Sequence, residues 1–157
     1  MENHQLINQF YSAFQKLDAE GMIACYHHDI LFSDPAFGEI SGNRARAMWR
    51  MLCKNAVDFR LEFSNVQADE KSGSANWEAW YTFSQTKRSV HNIISARFEF
   101  KDGLIIQHTD SFNLKRWAGQ ALGAKGHILG GTGFFRKKLQ SQTNHRLDQF
   151  IKTHSNL

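Results

Sequence analysis

A cone-shaped α+β domain is the fold class predicted by three features of the 157-residue sequence: helix-spaced apolar residues at the start, two-residue alternation from about position 58, and a basic, glycine-rich end. Leu6, Ile7, Phe10, Phe14 and Leu17 recur at helical spacing, and Asp18-Ala-Glu-Gly opens a second short helix through Met22, Ile23 and Tyr26. Ile30-Leu31-Phe32 reads as a strand ended by Asp34-Pro35, because a residue before proline is pushed towards extended backbone. Gly38 and Gly42 mark a loop, after which Asn43 is placed to cap a third helix with Ala45, Met48, Trp49 and Leu52 on one face.

The period then falls to 2. Phe59, Leu61 and Phe63 alternate with charged neighbours, and in Asn76–Ser84 the residues Trp77, Ala79, Tyr81 and Phe83 share one face. In Val90–Phe100 the inner face is Asn92, Ile94, Ala96, Phe98 and Phe100. A hairpin signal, Lys101-Asp102-Gly103, introduces Leu104–Leu114 with Ile106, His108, Asp110 and Phe112 together. Helices on one face of such an antiparallel sheet leave a cone-like hollow. Six of the 11 glycines fall between Gly119 and Gly133, which predicts an irregular, flexible connection, and a last amphipathic helix is expected around Phe135 to Ile151. Residues 1–114 are therefore expected to form the cone. Residues 115–157 form a helical extension packed on it, since a segment of that length buries no core alone.

The charge is unevenly placed. Residues 115–157 carry eight of the 19 Lys and Arg against one acid, Asp148. The rest of the chain has 11 basic and 14 acidic residues. The excess of +4 thus belongs to the extension, as a solvated helix face or as a surface for an anionic partner, and nucleic acid is not expected. Cys25 and Cys53 have no metal-type spacing and read as buried thiols. Met1 leads into polar residues and no apolar run is long enough to span a bilayer, so a cytoplasmic protein without stable membrane insertion is expected.

His108 and Asp110, two apart on one strand, address the same side, a geometry suited to proton transfer, and Asn92 faces inward in the same register. The plainer readings are that this face points to solvent near the sheet edge or that His108 and Asp110 merely satisfy each other. Asp34 belongs at a rim beside a glycine-containing loop, where an aspartate before proline is also a common turn former. Trp49, Trp77, Tyr81, Phe83 and Phe98 are candidates to line an apolar hollow, or to be plain core. His27, His28 and Asp29 could suggest a metal, but adjacent side chains diverge, so an exposed helix end is expected and no metal is assigned. The run Gly126–Gly133 lacks the Lys-Ser/Thr ending of a phosphate loop and reads as a linker, and the small residues from Trp117 to Ala124 suit equally a close helix contact or a surface helix continuing off the last strand.

The stretch Tyr26-His-His-Asp-Ile-Leu-Phe-Ser-Asp34-Pro-Ala-Phe-Gly38, followed by Ser41-Gly42 and a helix with Trp49, resembles that of ketosteroid isomerases and SnoaL-like polyketide cyclases of the nuclear transport factor two-like superfamily. The likeness covers roughly residues 4–114. It implies a cystatin-like roll, a curved sheet wrapped around a pocket, and a homodimer through the sheet's outer face. Asp34 falls on the isomerase's general base. The isomerase's oxyanion tyrosine and protonated aspartic acid are matched by Phe10 and Ala96, so that device is missing. His108, Asp110 and Phe112 match pocket-lining positions, and Phe10 and Phe14 join the ligand-facing set. No equivalent of an epoxide hydrolase Asp-Arg-Asp triad is found, because Arg97 faces outward.

The expected function is acid–base proton transfer on a small apolar, enolisable ligand. Asp110 or Asp34 is the base, His108 the acid or orienter, and Asn92 a donor to an oxyanion; no cofactor is implied. A non-catalytic ligand binder or assembly protein is the rival reading. If both carboxylates face one aromatic hollow, desolvation and repulsion should raise at least one carboxyl, coupled to His108.

Overall fold

The computed structural model describes residues 1–154 and is an α+β fold with one six-stranded curved sheet; the last three residues of the extension lie outside the described residues. Helix α1 (Asn3–Gln15) buries Leu6, Ile7, Phe10, Tyr11 and Phe14, so its apolar stripe is the helix's inner face. Asp18 caps α2 (Ala19–Ile23), its Oδ1 accepting from the Gly21 amide at 3.0 Å. Strands β1 (Tyr26–Asp34) and β2 (Gly38–Ser41) follow, then α3 (Asn43–Asn55). Next come β3 (Arg60–Ala68), β4 (Ser72–Phe83), β5 (Arg88–Lys101) and β6 (Leu104–Ser111). The chain ends in α4 (Leu114–Leu122), α5 (Ala124–Leu129) and α6 (Gly133–Thr153).

The strand order is β2-β1-β6-β5-β4-β3. The run from β3 to β6 is antiparallel as expected, whereas β1 lies parallel to β6. The main core lies between α1 to α3 and the sheet's inner face, and α6 adds Leu147 and Phe150 to it. A smaller cluster joins Val90 to Leu114, Trp117, Ala118, Ala121 and Phe135. On the outer face the Trp80 and His91 rings stack at 4.5 Å, the Arg60 guanidinium lies 3.9 Å above Trp80, and Ile93 is half exposed.

Four local differences from the sequence reading have physical causes. Tyr26-His27-His28-Asp29 belongs to β1 and not to a helix end: His27 is buried, and its Nδ1 accepts from the Asp29 amide at 3.0 Å. The glycine-flanked loop contains β2, recruited by pairing with Leu31–Asp34 across a tight turn. Helix α3 is capped by Gly42, whose φ of +54° suits glycine; the Asn43 side chain instead accepts from Arg46. Asn113 caps α4, its Oδ1 accepting from the Arg116 amide, so Leu114 opens a helix and does not end a strand.

The glycine-rich run is not a linker. It forms α5 and the turn into α6, and α5 presses on α4 so closely that a Cβ on Gly126 would lie 1.9 Å from the Ala118 carbonyl oxygen. The glycines permit backbone approach, which is the close helix contact expected from the small residues of α4.

Candidate active site

Alternation along β6 turns His108 and Asp110 to the inner face, where both are at least nine-tenths buried. His108 lies opposite Phe98 and Asp110 opposite Ala96. The His108 Nε2 is 2.9 Å from Asp110 Oδ1, and its Nδ1 is 2.7 Å from the Tyr26 hydroxyl. The Trp49 indole donates to that hydroxyl at 2.8 Å, and the Trp77 indole donates to Asp110 Oδ1 at 3.4 Å. An indole can only donate, so the Tyr26 oxygen accepts from Trp49 and its own proton goes to His108 Nδ1. The imidazole proton then lies on Nε2, facing Asp110. Burial pushes the Tyr26 phenol well up, which keeps it a donor.

Five rings enclose the imidazole: Phe98 at 4.5 Å, Phe32 at 5.1 Å, Phe10 at 5.4 Å, Tyr26 at 6.1 Å and Trp49 at 6.2 Å between centroids. Phe14 packs on Trp49 at 5.1 Å and on Trp77 at 5.4 Å. Phe10, Phe14, Trp49, Trp77 and Phe98 are thus core, ring against ring. Of the aromatic residues placed in the hollow, Tyr81, Phe83 and Phe112 remain half-buried.

Asp34 reaches the same face by the parallel pairing. Phe32 pairs with His108 and Ser33 with Thr109, which brings Asp34 at the end of β1 alongside Asp110 on β6. Its Oδ1 accepts from the amides of Ala36 at 2.9 Å and Phe37 at 2.7 Å, closing the turn into β2. Its Oδ2 makes no hydrogen bond among the described residues. Burial raises the Asp34 carboxyl to about 7; the Phe37 amide opposes this, the charge of Asp110 adds to it, and the Ala36 amide opposes it. Asp34 is therefore the raised carboxylate expected from the sequence. Its residue surface is only half-buried, but the protein packed around the carboxyl desolvates it strongly.

Helix α6 holds this turn from outside. Gln140 donates to the Pro35 carbonyl at 3.2 Å, Thr143 to Ala36 at 2.7 Å and Asn144 to Phe37 at 2.9 Å, so three successive carbonyls after Asp34 are satisfied by one helix face. Arg44 on α3 bonds Asn144 and pairs with Asp148, fixing α6 to α3.

Asn92 is buried on the inner face but apart from His108 and Asp110. It pairs with Ala79 and stands four residues from Ala96, the partner of Asp110, a displacement of about 13 Å along a strand. Its diagonal neighbour is Tyr81, which pairs with Val90. Among the described residues the Asn92 side-chain amide makes no hydrogen bond. The Tyr81 hydroxyl accepts from the Trp117 indole at 2.7 Å. Burial pushes the Tyr81 phenol up to about 12, opposed by that bond and aided by the charge of Asp34, so Asp34 and Tyr81 feel one another. Tyr11 went unnoticed in the sequence reading. Its fully buried hydroxyl has no hydrogen-bond partner among the described residues, and burial, then the charge of Asp110, raises it well above the ordinary phenol.

His27, His28 and Asp29 stand closer together than adjacency on a strand implies. The imidazoles stack at 4.2 Å, and one ligand atom from each of the three residues lies within 4.8 Å of the others. These are the residues that could hold a metal, although His27 Nδ1 is already engaged and Arg46 lies against the His27 and His28 carbonyls.

The family described as "SnoaL-like domain" matches residues 7–108. No curated protein matches the sequence. Among solved structures, a protein assigned as a polyketide cyclase from Pseudomonas putida is 19% identical with a TM-score of 0.64, covering 77% of this chain and 98% of its own. An epoxide hydrolase of the LEH-like type from M. tuberculosis is 20% identical with a TM-score of 0.60, covering 80% of this chain and 89% of its own. An NTF2-like protein of unknown function from Burkholderia pseudomallei is 17% identical with a TM-score of 0.62, covering 84% of this chain and all of its own.

Proposed function

The chain belongs to the SnoaL-like domain family, and from that premise we propose that it is an acid–base enzyme moving a proton on a small apolar, enolisable ligand, with Asp34 as the group that takes and returns it. The observation that carries this reading is the side-by-side placement of Asp34 and Asp110 on β1 and β6, one carboxylate held by side chains and the other with an oxygen to spare. A carboxyl near 7 is about half ionised at neutral pH. Asp34 accepts a proton from a carbon beside a carbonyl, the C–H electron pair becomes the enolate, and the same proton returns to a second atom.

The enolate oxygen falls to Tyr81 and Asn92. Tyr81 accepts from Trp117, which leaves its own proton to donate, and Asn92 has an amide unspent. His108 holds Asp110 in place, and the charge of Asp110 helps to keep the Asp34 carboxyl high. Tyr81, Phe83 and Phe112 supply the apolar wall. The extension 115–157 is read as part of the same domain, a reading supported by Leu147 and Phe150 in the main core and by the α6 bonds to the Asp34 turn.

The experiment is NMR-detected deuterium exchange at the α-carbons of a panel of aromatic and alicyclic ketones in heavy water. The protein should accelerate exchange with an inflection near pH 7, and Asp34→Asn should lose about a hundredfold or more of that acceleration while keeping its circular dichroism. Equal exchange with and without protein across the panel, or an unaffected Asp34→Asn, overturns the reading.

A further inference from the structure

The extension steadies that site through Trp117 and α6, but its basic side chains play no part in the proposed chemistry. Two stretches of the chain, residues 79–98 and 111–147, hold ten Lys or Arg and no Asp or Glu. The fold brings them together. Helix α4 covers the edge of β5 beyond the end of β6: Gln120 Oε1 accepts from the His91 amide at 2.6 Å, and Arg116 donates to the His91 carbonyl at 2.7 Å. Arg88 donates from Nε to the Gln120 carbonyl at 2.7 Å.

The result is a groove of about 730 Å³ bordered by Arg88, Lys115, Arg116 and His127 with no acid among its lining residues. A second concavity shares Asn113 and Lys115 and runs along the Gly130–Gly133 turn to Arg136. None of these four cationic side chains, Arg88, Lys115, Arg116 and Arg136, enters an ion pair among the described residues. Each groove guanidinium is pinned by one nitrogen to a backbone carbonyl, so the charges are positioned before any partner arrives.

A second observation stands beside the charge. Of the eight large hydrophobic residues exposed among the described residues, four lie in this one stretch: Leu122, Ile128, Leu129 and Phe134. Ile128 and Phe134 are about three-quarters exposed and flank the same glycine turn. Isolated exposed hydrophobics are ordinary, but a group of them within a cationic field has the chemistry of an interfacial anchor. A soluble phosphate would use the charge and leave Ile128 and Phe134 in water. A nucleic acid would do the same.

We propose that this end of the molecule docks on a bilayer carrying anionic phospholipids, with headgroup phosphates against Arg88, Lys115 and Arg116 and with Ile128, Leu129 and Phe134 at the acyl boundary. No described helix is long and apolar enough to cross a membrane, so the attachment is peripheral and reversible. It is independent of the chemistry proposed for Asp34.

Vesicle co-sedimentation of the full chain tests it. The protein should pellet with phosphatidylcholine vesicles containing phosphatidylglycerol and stay in solution with phosphatidylcholine alone, and high salt should release it. Arg88→Gln and Lys115→Gln should each weaken partition about fivefold, and Phe134→Ser about tenfold. All three side chains are exposed, and unchanged melting temperatures will show that the fold survives. Three outcomes overturn the proposal: no preference for the anionic vesicle, a loss from Lys71→Gln on the β3–β4 turn equal to that from Lys115→Gln, or light scattering in which Phe134→Ser turns a dimer into a monomer, since the patch would then be a contact between copies of this chain.

Discussion

Asp110 and Asp34 are neighbours on paired strands, yet their surroundings differ in kind. Asp110 is sealed among aromatic rings and held by His108 and Trp77. Asp34 ends a strand, gives one oxygen to two turn amides, and is steadied by a helix from the far end of the chain. The first arrangement resists change, because every member of a buried polar chain depends on the next. The second leaves an oxygen free and a carboxyl raised by burial, which are the properties of a group that exchanges protons. In the proposed reaction the two acids on one face divide the work, Asp110 fixing the electrostatic environment and Asp34 reacting in it.

The largest effect should come from breaking the sealed side. His108→Ala opens a cavity among five rings, takes from Tyr26 the acceptor of its proton and leaves Asp110 only the longer bond from Trp77, so a loss of about 4 kcal/mol or more is expected. Thermal melting should show a fall of roughly 10 °C or more. A loss below about 1 kcal/mol would mean that the network is not a structural unit and would erase the contrast between the two carboxylates.

An intermediate effect is expected from Asp34 and should appear mainly as pH dependence. An acid raised on folding binds its proton more tightly in the folded state, so its favourable contribution is complete below the unfolded value of about 4 and is lost as pH climbs through about 7. Denaturant unfolding of the parent protein should therefore show stability falling between these limits, and Asp34→Asn should flatten that fall. An unchanged slope in Asp34→Asn would assign the pH dependence elsewhere and place Asp34 among ordinary turn residues.

Much of this division was legible before the structure. The 2-residue period put His108 and Asp110 on one face, and Asp-Pro marked the turn that Asp34 closes. What joins them, the parallel pairing of β1 with β6, is a contact across more than 70 residues with no local signature. Strand β2 was invisible for the same reason, since four residues become a strand only by pairing with β1. Glycine density was misread because local reasoning equates it with freedom, whereas Gly126 is needed for contact with Ala118. Inward alternation placed Asn92 correctly on its face but carried no information on distance, and Ile94 stands between it and the row of Ala96. Helical period marked Phe10 and Phe14 as buried, and it did not reveal that Tyr11 beside them carries a hydroxyl into the same interior.

That hydroxyl offers the finest test of the comparison, with the smallest effect. Burying an unpaired hydroxyl costs free energy that a phenylalanine of the same shape does not incur. Tyr11 is fully buried, its ring stacks on Phe63 at 5.3 Å and meets Phe10 edge-on at 5.2 Å, and Phe preserves both contacts. Tyr11→Phe should therefore be neutral or stabilise the protein by up to about 1 kcal/mol, in contrast to the loss expected at His108. Denaturant midpoints at constant slope measure it. A destabilisation beyond about 1 kcal/mol would show that the hydroxyl has a partner, and with Asp110 the acid whose charge it feels, Tyr11 would then join the network that holds that carboxylate.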